Sequence, residues 1–241
     1  MTESNSGGAG LAHTKLCWVS ANPFEFFHVL RPDKMDKLAA QAMSGDLYMP
    51  PGSESSDSSS PCPAIVQLHG SNGWADHHNK HRDALVRKGF AVLQVNSFAD
   101  RGVTSTAERQ IAVTMATLVN DAFTALHALR AQPGIDGGSI GLAGWSLGGG
   151  AANYAALEAV IAALGKGKPG FACLLAYYPG LNYKPVGDWQ WSSAPILSQV
   201  GGLDDWTPAA KLVLPHDRPV QQPGSQRQCD SLPRQPPLVR R

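Results

Sequence analysis

The sequence has no long apolar run, little cysteine and no surplus of charge of either sign. Its longest apolar stretch, 157–164, contains Glu158 and falls well short of the ~20 residues that cross a bilayer. Twenty Lys and Arg stand against 19 Asp and Glu, a formal charge of +1, which excludes an overall electrostatic footprint for nucleic acid or an anionic membrane. Residues 1–10 are polar and Gly/Ser-rich, with no basic segment leading into an apolar one, so the expected location is the cytoplasm. Cys17, Cys62, Cys173 and Cys229 have no CxxC spacing and no adjoining His cluster, the pattern of free thiols rather than of a zinc site or disulfide framework. Bulk charge names no partner; neither nucleic acid nor membrane is expected as one, and the oligomeric state stays open.

What is present is an ordinary globular composition, 43% hydrophobic and 16% charged over 241 residues. A single α/β domain of this length buries roughly 70% of its unfolded surface. Residues 1–44 read as a partly disordered N-terminal extension whose aromatics, Trp18, Phe24, Phe26 and Phe27, follow no single period. The domain is expected over 45–210, with a possible short strand at 45–50, a Ser-rich exposed loop over 51–63, and a disordered tail over 211–241.

From Ala64 the pattern sharpens. Ala64-Ile65-Val66-Gln67-Leu68 is a short β-rich run ending at His69-Gly70, a helix over 79–88 closes on Gly89, and 90–95 reads as the next strand. Ser105 and Glu108 have capping-box spacing ahead of a helix to about Ala131, in which Ile111, Met115, Leu118, Ala122 and Leu126 recur at helical steps. Strands at 139–143, 171–177 and 194–200 and a helix over 147–164 complete an alternation that implies a doubly wound, mainly parallel sheet with helices on both faces. In such a sheet functional groups gather at the C-terminal strand ends.

Gly144-Trp145-Ser146-Leu147-Gly148 fits G-x-S-x-G, in which a serine sits on a sharp strand-to-helix turn and the glycines leave room for neighbouring backbone. With 25 glycines the pattern arises by chance about 0.2 times in a chain of this length, so its setting decides, and here a strand precedes it and a helix follows. The Leu147 N–H then opens the helix and can face a developing oxyanion, with the Ser71 N–H of the loop His69-Gly70-Ser71-Asn72-Gly73 as a second donor. The bland reading of that loop is a plain strand-to-helix turn. Gly201-Gly202-Leu203-Asp204-Asp205-Trp206-Thr207-Pro208 brings a carboxylate to the same sheet edge, with two aspartates competing for the role of acid and a solvated turn as the bland alternative. Trp145 and Trp206 flank these motifs and suit either an apolar substrate pocket or the core. His77, His78 and His81 read as a solvated helix start rather than a metal site, and His69 as a support for the loop.

Over roughly 64–210 the chain resembles the dienelactone hydrolase family of α/β-hydrolases. The likeness rests on Leu68-His69-Gly70, the segment Asn96-Ser97-Phe98-Ala99-Asp100-Arg101-Gly102, the elbow at 144–148, Tyr177-Tyr178-Pro179-Gly180, and 201–208, all in order. The resemblance implies Ser146 as nucleophile, where the enzyme that names the family uses cysteine. It also implies Asp204 as acid, with Asp205 second, because the family loop runs Gly-x-x-Asp-x-x-x-Pro. Arg101 falls near a position that holds a substrate carboxylate in the family; a structural arginine pairing within the loop is the alternative. No metal and no organic cofactor are implied.

A serine nucleophile needs a base. The family's histidine follows the acid by several dozen residues, beyond another helix and strand, whereas only His216 follows Asp204 here. The tail from Lys211 carries six Lys/Arg against two Asp and little apolar periodicity, so the last strand and helix of the fold are expected to be missing, as after a frameshift or altered splice. The expected function is serine hydrolysis of an ester or lactone through Ser146, Asp204 and His216, with Leu147 and Ser71 as oxyanion donors and Arg101 and Trp145 against the substrate. The alternative is a non-catalytic protein that keeps the pocket, and a poorly folding product is a third possibility.

Overall fold

The run at 64–68 lies at the centre of a sheet. In the computed structural model, which describes residues 11–52, 61–180 and 189–207, it extends to β3 (Cys62–Leu68). Parallel neighbours flank it, β4 (Ala91–Val95) on one side and β5 (Ile135–Trp145) on the other. Beyond β5 come β6 (Leu174–Tyr177) and β7 (Ile196–Gln199), also parallel. Beyond β4 lie two antiparallel strands, β2 (Ala40–Tyr48) and β1 (Thr14–Ala21), giving the order β1-β2-β4-β3-β5-β6-β7. The chain leaves β3 toward β4 on one side and later returns to β5 on the other, so the crevice beyond the ends of β3 and β5 is a topological switch point.

Alternation along the central strands assigns each face its helices. Ala64, Val66 and Leu68 of β3 and Ala91, Leu93 and Val95 of β4 join one large core with α4 (Met115–Arg130) and α5 (Leu147–Tyr154). The opposite face meets α3 (Asp76–Arg87), where Val92 packs with Val86. Buried glutamines are tolerated there because they are paired: Gln94 Nε2 donates to Gln67 Oε1 (3.2 Å) and Arg82 Nη1 donates to Gln94 Oε1 (3.2 Å). The Arg82 guanidinium also lies 4.2 Å from the centre of the Tyr48 ring. Two one-turn helices, α1 (Phe26–Val29) and α2 (Pro32–Met35), join β1 to β2, and α6 (Glu158–Leu164) follows α5.

Several boundaries differ from the sequence reading. The expected extension over 1–44 contributes β1 and most of β2, so a domain border at 45 would cut a strand. β1 is an edge strand, half exposed, and its Trp18 is fixed by distant partners, Nε1 donating to Thr124 Oγ1 (3.1 Å), which no local period reveals. Residues 62 and 63 belong to β3 rather than to the Ser-rich loop. The helix expected from 105 begins at Met115, capped by Thr114, whose Oγ1 accepts from the Thr117 N–H (3.3 Å). Ser105 instead donates to the Ser71 carbonyl (3.0 Å), and Ile111, counted as a helical core position, is 62% exposed. The single helix expected over 147–164 breaks at 155–157, where the segment near 190 intrudes: Glu158 N–H donates to Gln190 O and Ser192 N–H to Ala156 O.

Cys17, Cys62 and Cys173 are free thiols. Among the described residues no helix is long and apolar enough to cross a membrane. The Ser-rich residues 53–60, Cys229, the tail from 211 and with it the expected loss of the final strand and helix lie outside the described residues.

Candidate active site

Strand β5 ends at Trp145 and helix α5 starts at Leu147, which leaves Ser146 as the single turning residue, with φ 52° and ψ −111°. A residue with a side chain held there costs about 1–3 kcal/mol, so the surroundings must impose it. They do so through three 2.9 Å hydrogen bonds: Ser146 N–H donates to Tyr177 O, and Ser146 O accepts from the Gly150 and Gly180 N–H groups. The glycines of the motif are a packing necessity. A Cβ on Gly148 would lie 2.5 Å from the Leu68 carbonyl oxygen, and one on Gly144 would overlap the Gly148 carbonyl.

The loop after β3 rests directly on this elbow, since a Cβ on Gly70 would lie 3.1 Å from the Ser146 Cβ. Its shape is held from outside. The Ser71 carbonyl accepts from Thr106 N–H (2.8 Å) and Ser105 Oγ (3.0 Å), and Gly73 N–H closes onto Gly70 O (3.0 Å). Beneath it His69 is 2% exposed, donates from Nδ1 to Gly70 O (2.9 Å) and packs on Phe98, the supporting role expected of it. Burial pushes the His69 imidazole down to about 4, against the opposing pull of its bond to Gly70 O. Among the described residues neither Ser71 N–H nor Leu147 N–H has a hydrogen-bond partner. Two free amides thus flank the serine, one of them at the start of a helix.

Asp204 reaches the same place from the turn after β7. Its Oδ1 accepts from Trp206 N–H (3.0 Å) and Thr207 N–H (2.8 Å), and its Oδ2 from Thr207 Oγ1 (2.6 Å). Partial burial alone would raise the carboxyl pKa, but the Thr207 hydroxyl and the two amides outweigh it and hold it below the ordinary value. A cavity of about 370 Å³ brings Asp204, Ser146, Ser71, His77 and Tyr178 together, and Asp205 does not border it. A second cavity, about 560 Å³, also borders Ser146 and Ser71.

The histidines of α3 are not the solvated set expected. Only His77 is exposed; its Nε2 lies 3.4 Å from Tyr178 Oη. His78 is 3% exposed, accepts from Ala75 N–H at Nδ1 (2.8 Å), and packs edge-on against Trp145 and Trp74. Burial, reinforced by neighbouring His77 and His69, pushes it down to about 4. His81 lies between Gln67 Nε2 (3.2 Å) and Tyr177 Oη (2.7 Å). Among the described residues no group of three or more ligating side chains is placed to hold a metal ion.

Two residues expected at the substrate lie elsewhere. The Arg101 guanidinium forms a bidentate ion pair with Asp121 (2.7 and 2.9 Å), both side chains buried, and also donates to Ser97 O and Asn22 Oδ1. The arginine pairs with a carboxylate of α4 rather than within its own loop, and it borders neither cavity. Trp145 is 4% exposed, stacked on Tyr177 (5.0 Å between ring centres), because its side chain leaves the strand toward α3. Trp206, by contrast, borders both cavities. The sequence reading missed Phe24, Phe26, Ile111 and Met115, which line the larger one, and Tyr178, which borders the smaller. The aperiodic aromatics between Phe24 and Phe27 were the available signal. His216 lies outside the described residues.

The family model of the dienelactone hydrolases matches residues 52–218, which span the elbow, the loop after β3 and the Asp204 turn. The chain belongs to the dienelactone hydrolase family. Solved structures of similar fold include a protein described as a dienelactone hydrolase from Klebsiella pneumoniae subsp. pneumoniae, 15% identical, with a TM-score of 0.51 over 82% of this chain and 77% of that one. Another is a dienelactone hydrolase-like promiscuous phosphotriesterase from metagenomic libraries, 18% identical, with a TM-score of 0.51 over 82% of this chain and 73% of that one. No curated protein matches the sequence. Within this hydrolase family the mainly parallel sheet of the present chain is the shared architecture.

Proposed function

We propose that this member of the dienelactone hydrolase family is a serine hydrolase of carboxylic esters or lactones that works through an acyl-enzyme on Ser146. The observation that carries this reading is Ser146 itself, held at positive φ between two amides that have no partner among the described residues and facing a cavity it shares with Asp204. Ser146 Oγ attacks the carbonyl carbon while its proton passes to an imidazole, and the Leu147 and Ser71 amides stabilise the oxyanion. The C–O bond to the alcohol breaks, the imidazole returns the proton to the leaving oxygen, and water then cleaves the acyl-serine ester to release the acid. Asp204 serves to orient the imidazole. His216 holds that role by chain order, and His77 is the exposed imidazole on the shared cavity.

A second reading, a non-catalytic binding protein, is favoured by one observation: the described partners of Asp204 are all donors from its own turn, and none is an imidazole. Turnover of p-nitrophenyl butyrate by the full chain and by Ser146→Ala, His216→Ala and His77→Ala separates the two. The expected result is a loss of at least about 100-fold in kcat/KM for Ser146→Ala and for one of the two histidine variants. Equal rates in all four proteins reject Ser146 as nucleophile and leave the binding reading.

A further inference from the structure

Three of the seven large hydrophobic residues exposed among the described residues, Phe24 (51%), Ile111 (62%) and Trp206 (74%), stand on the rim of one cleft. Apolar surface gathered in this way marks a place where something apolar binds. The cleft encloses about 560 Å³, the size of a small-molecule site, and its walls are formed by Phe26, Met115 and Leu147, with Ser146 and Ser71 where it meets the smaller cavity. Its charge content is equally specific. Among the described residues Glu25 is the one charged side chain lining it, and none of those lining residues is Lys, Arg or His. Arg101, which borders neither cavity, is already saturated by Asp121, Ser97 and Asn22. A carboxylate entering the cleft would lose water and face Glu25, with no cation among the described residues that line it. The smaller cavity has the opposite character, with Asn72, His77, Tyr178 and Asp204 on its walls.

We infer that the larger cleft is a binding subsite for an uncharged apolar group, a medium-length alkyl or aryl moiety of the ester, and that it discriminates against substrates carrying a carboxylate on that group. The polar part of the same molecule lies on the His77 side, and the reacting carbonyl at Ser146 lies between the two. This deepens the proposed function and rests on it for the position of the carbonyl.

The test is binding rather than turnover, so that it stands apart from the role of Ser146. Methyl heptyl ketone, which has a carbonyl and no scissile bond, and its analogue bearing a carboxylate at the far end of the heptyl chain are titrated calorimetrically into the full chain at neutral pH. The neutral ketone is expected to bind at least about 10-fold more tightly. Ile111→Lys, a change at an exposed rim position, is expected to narrow that preference by at least about 3-fold by supplying the absent cation. Equal or tighter binding of the carboxylate by the wild-type chain overturns the inference, as does failure of the neutral ketone to bind a protein that melts cooperatively. If the ketone preference holds but Ser146→Ala keeps full ester turnover, the subsite stands and the nucleophile assignment falls.

Discussion

Ser146 is placed by what its neighbours lack. Side chains at Gly144 and Gly148 would run into backbone, the Gly148 Cβ meeting the Leu68 and His69 carbonyl oxygens at 2.5 and 2.6 Å. Backbone cannot swing aside as a side chain can, so Gly148→Ala is expected to push α5 off the β3 loop. The cost should be about 1–3 kcal/mol, with ester turnover lost along with the elbow. Gly202→Ala, where an added Cβ meets nothing within 4 Å, is expected to stay within about 0.5 kcal/mol of wild type. Thermal melts and p-nitrophenyl butyrate turnover of both variants check this, and a Gly148→Ala protein as stable and active as Gly202→Ala would sink it. The contrast explains which single residues were legible in the sequence. The elbow is written in local backbone constraints that G-x-S-x-G records directly. Arg101 and Trp145 were misplaced because their roles depend on Asp121 and Tyr177, which the chain brings to them from 20 and 32 positions away.

At the scale of elements, the segment after β4 is a clasp. Asp100 accepts from the Ser44 N–H and hydroxyl of β2, while Arg101 pairs with Asp121 of α4, whose carboxylate also accepts from Ser20 Oγ of β1. Asp100 thereby ties the loop to β2, and the buried Asp121 carboxylate ties together the loop, α4 and the edge strand β1. Removing only its partner leaves that charge unpaired, so Arg101→Met is expected to destabilise the protein by about 3–5 kcal/mol, and the double variant Arg101→Met/Asp121→Leu to recover most of the loss. Urea unfolding of the three proteins measures it; a double variant no more stable than Arg101→Met would show that the pair is not the source. The same clasp shows why the N-terminal strands were hidden. The pattern of β1 is a half-exposed edge held by Asp121, Asn120 and Thr124, partners about 100 residues away, and period-two burial is faint on such a strand. The central strands, buried on both faces, announced themselves as apolar runs, and the helices that cover them were recognised in kind although two of their ends were misread.

Over the whole molecule, the titration of buried imidazoles couples the site to the stability of the fold. His69 under the loop after β3 and His78 against Trp145 are both held near 4, below the ordinary 6.5, chiefly by burial, and burial lowers His81 as well. A base whose folded pKa is depressed is neutral in the native state while its unfolded counterpart takes up a proton. Between 6.5 and about 4 the unfolded chain therefore binds more protons, and stability falls as the pH falls through that window, by at most about 1.4 kcal/mol per pH unit for each imidazole. Above 6.5 these groups are neutral in both states and contribute no slope. Asp204, shifted below the usual carboxylate value, adds its own loss only in more acid solution. Thermal melts taken at steps from neutral pH down to about 4 are expected to show a steady decline beginning near 6.5, and His78→Phe, which fills the space with a group that cannot be protonated, a shallower one. An unchanged slope in His78→Phe would remove His78 from the account. Because the native His69 stays neutral down to about 4, the loop it supports keeps its bond from Nδ1 to Gly70 O across that window, and the decline in melting temperature comes from proton uptake by the unfolded chain.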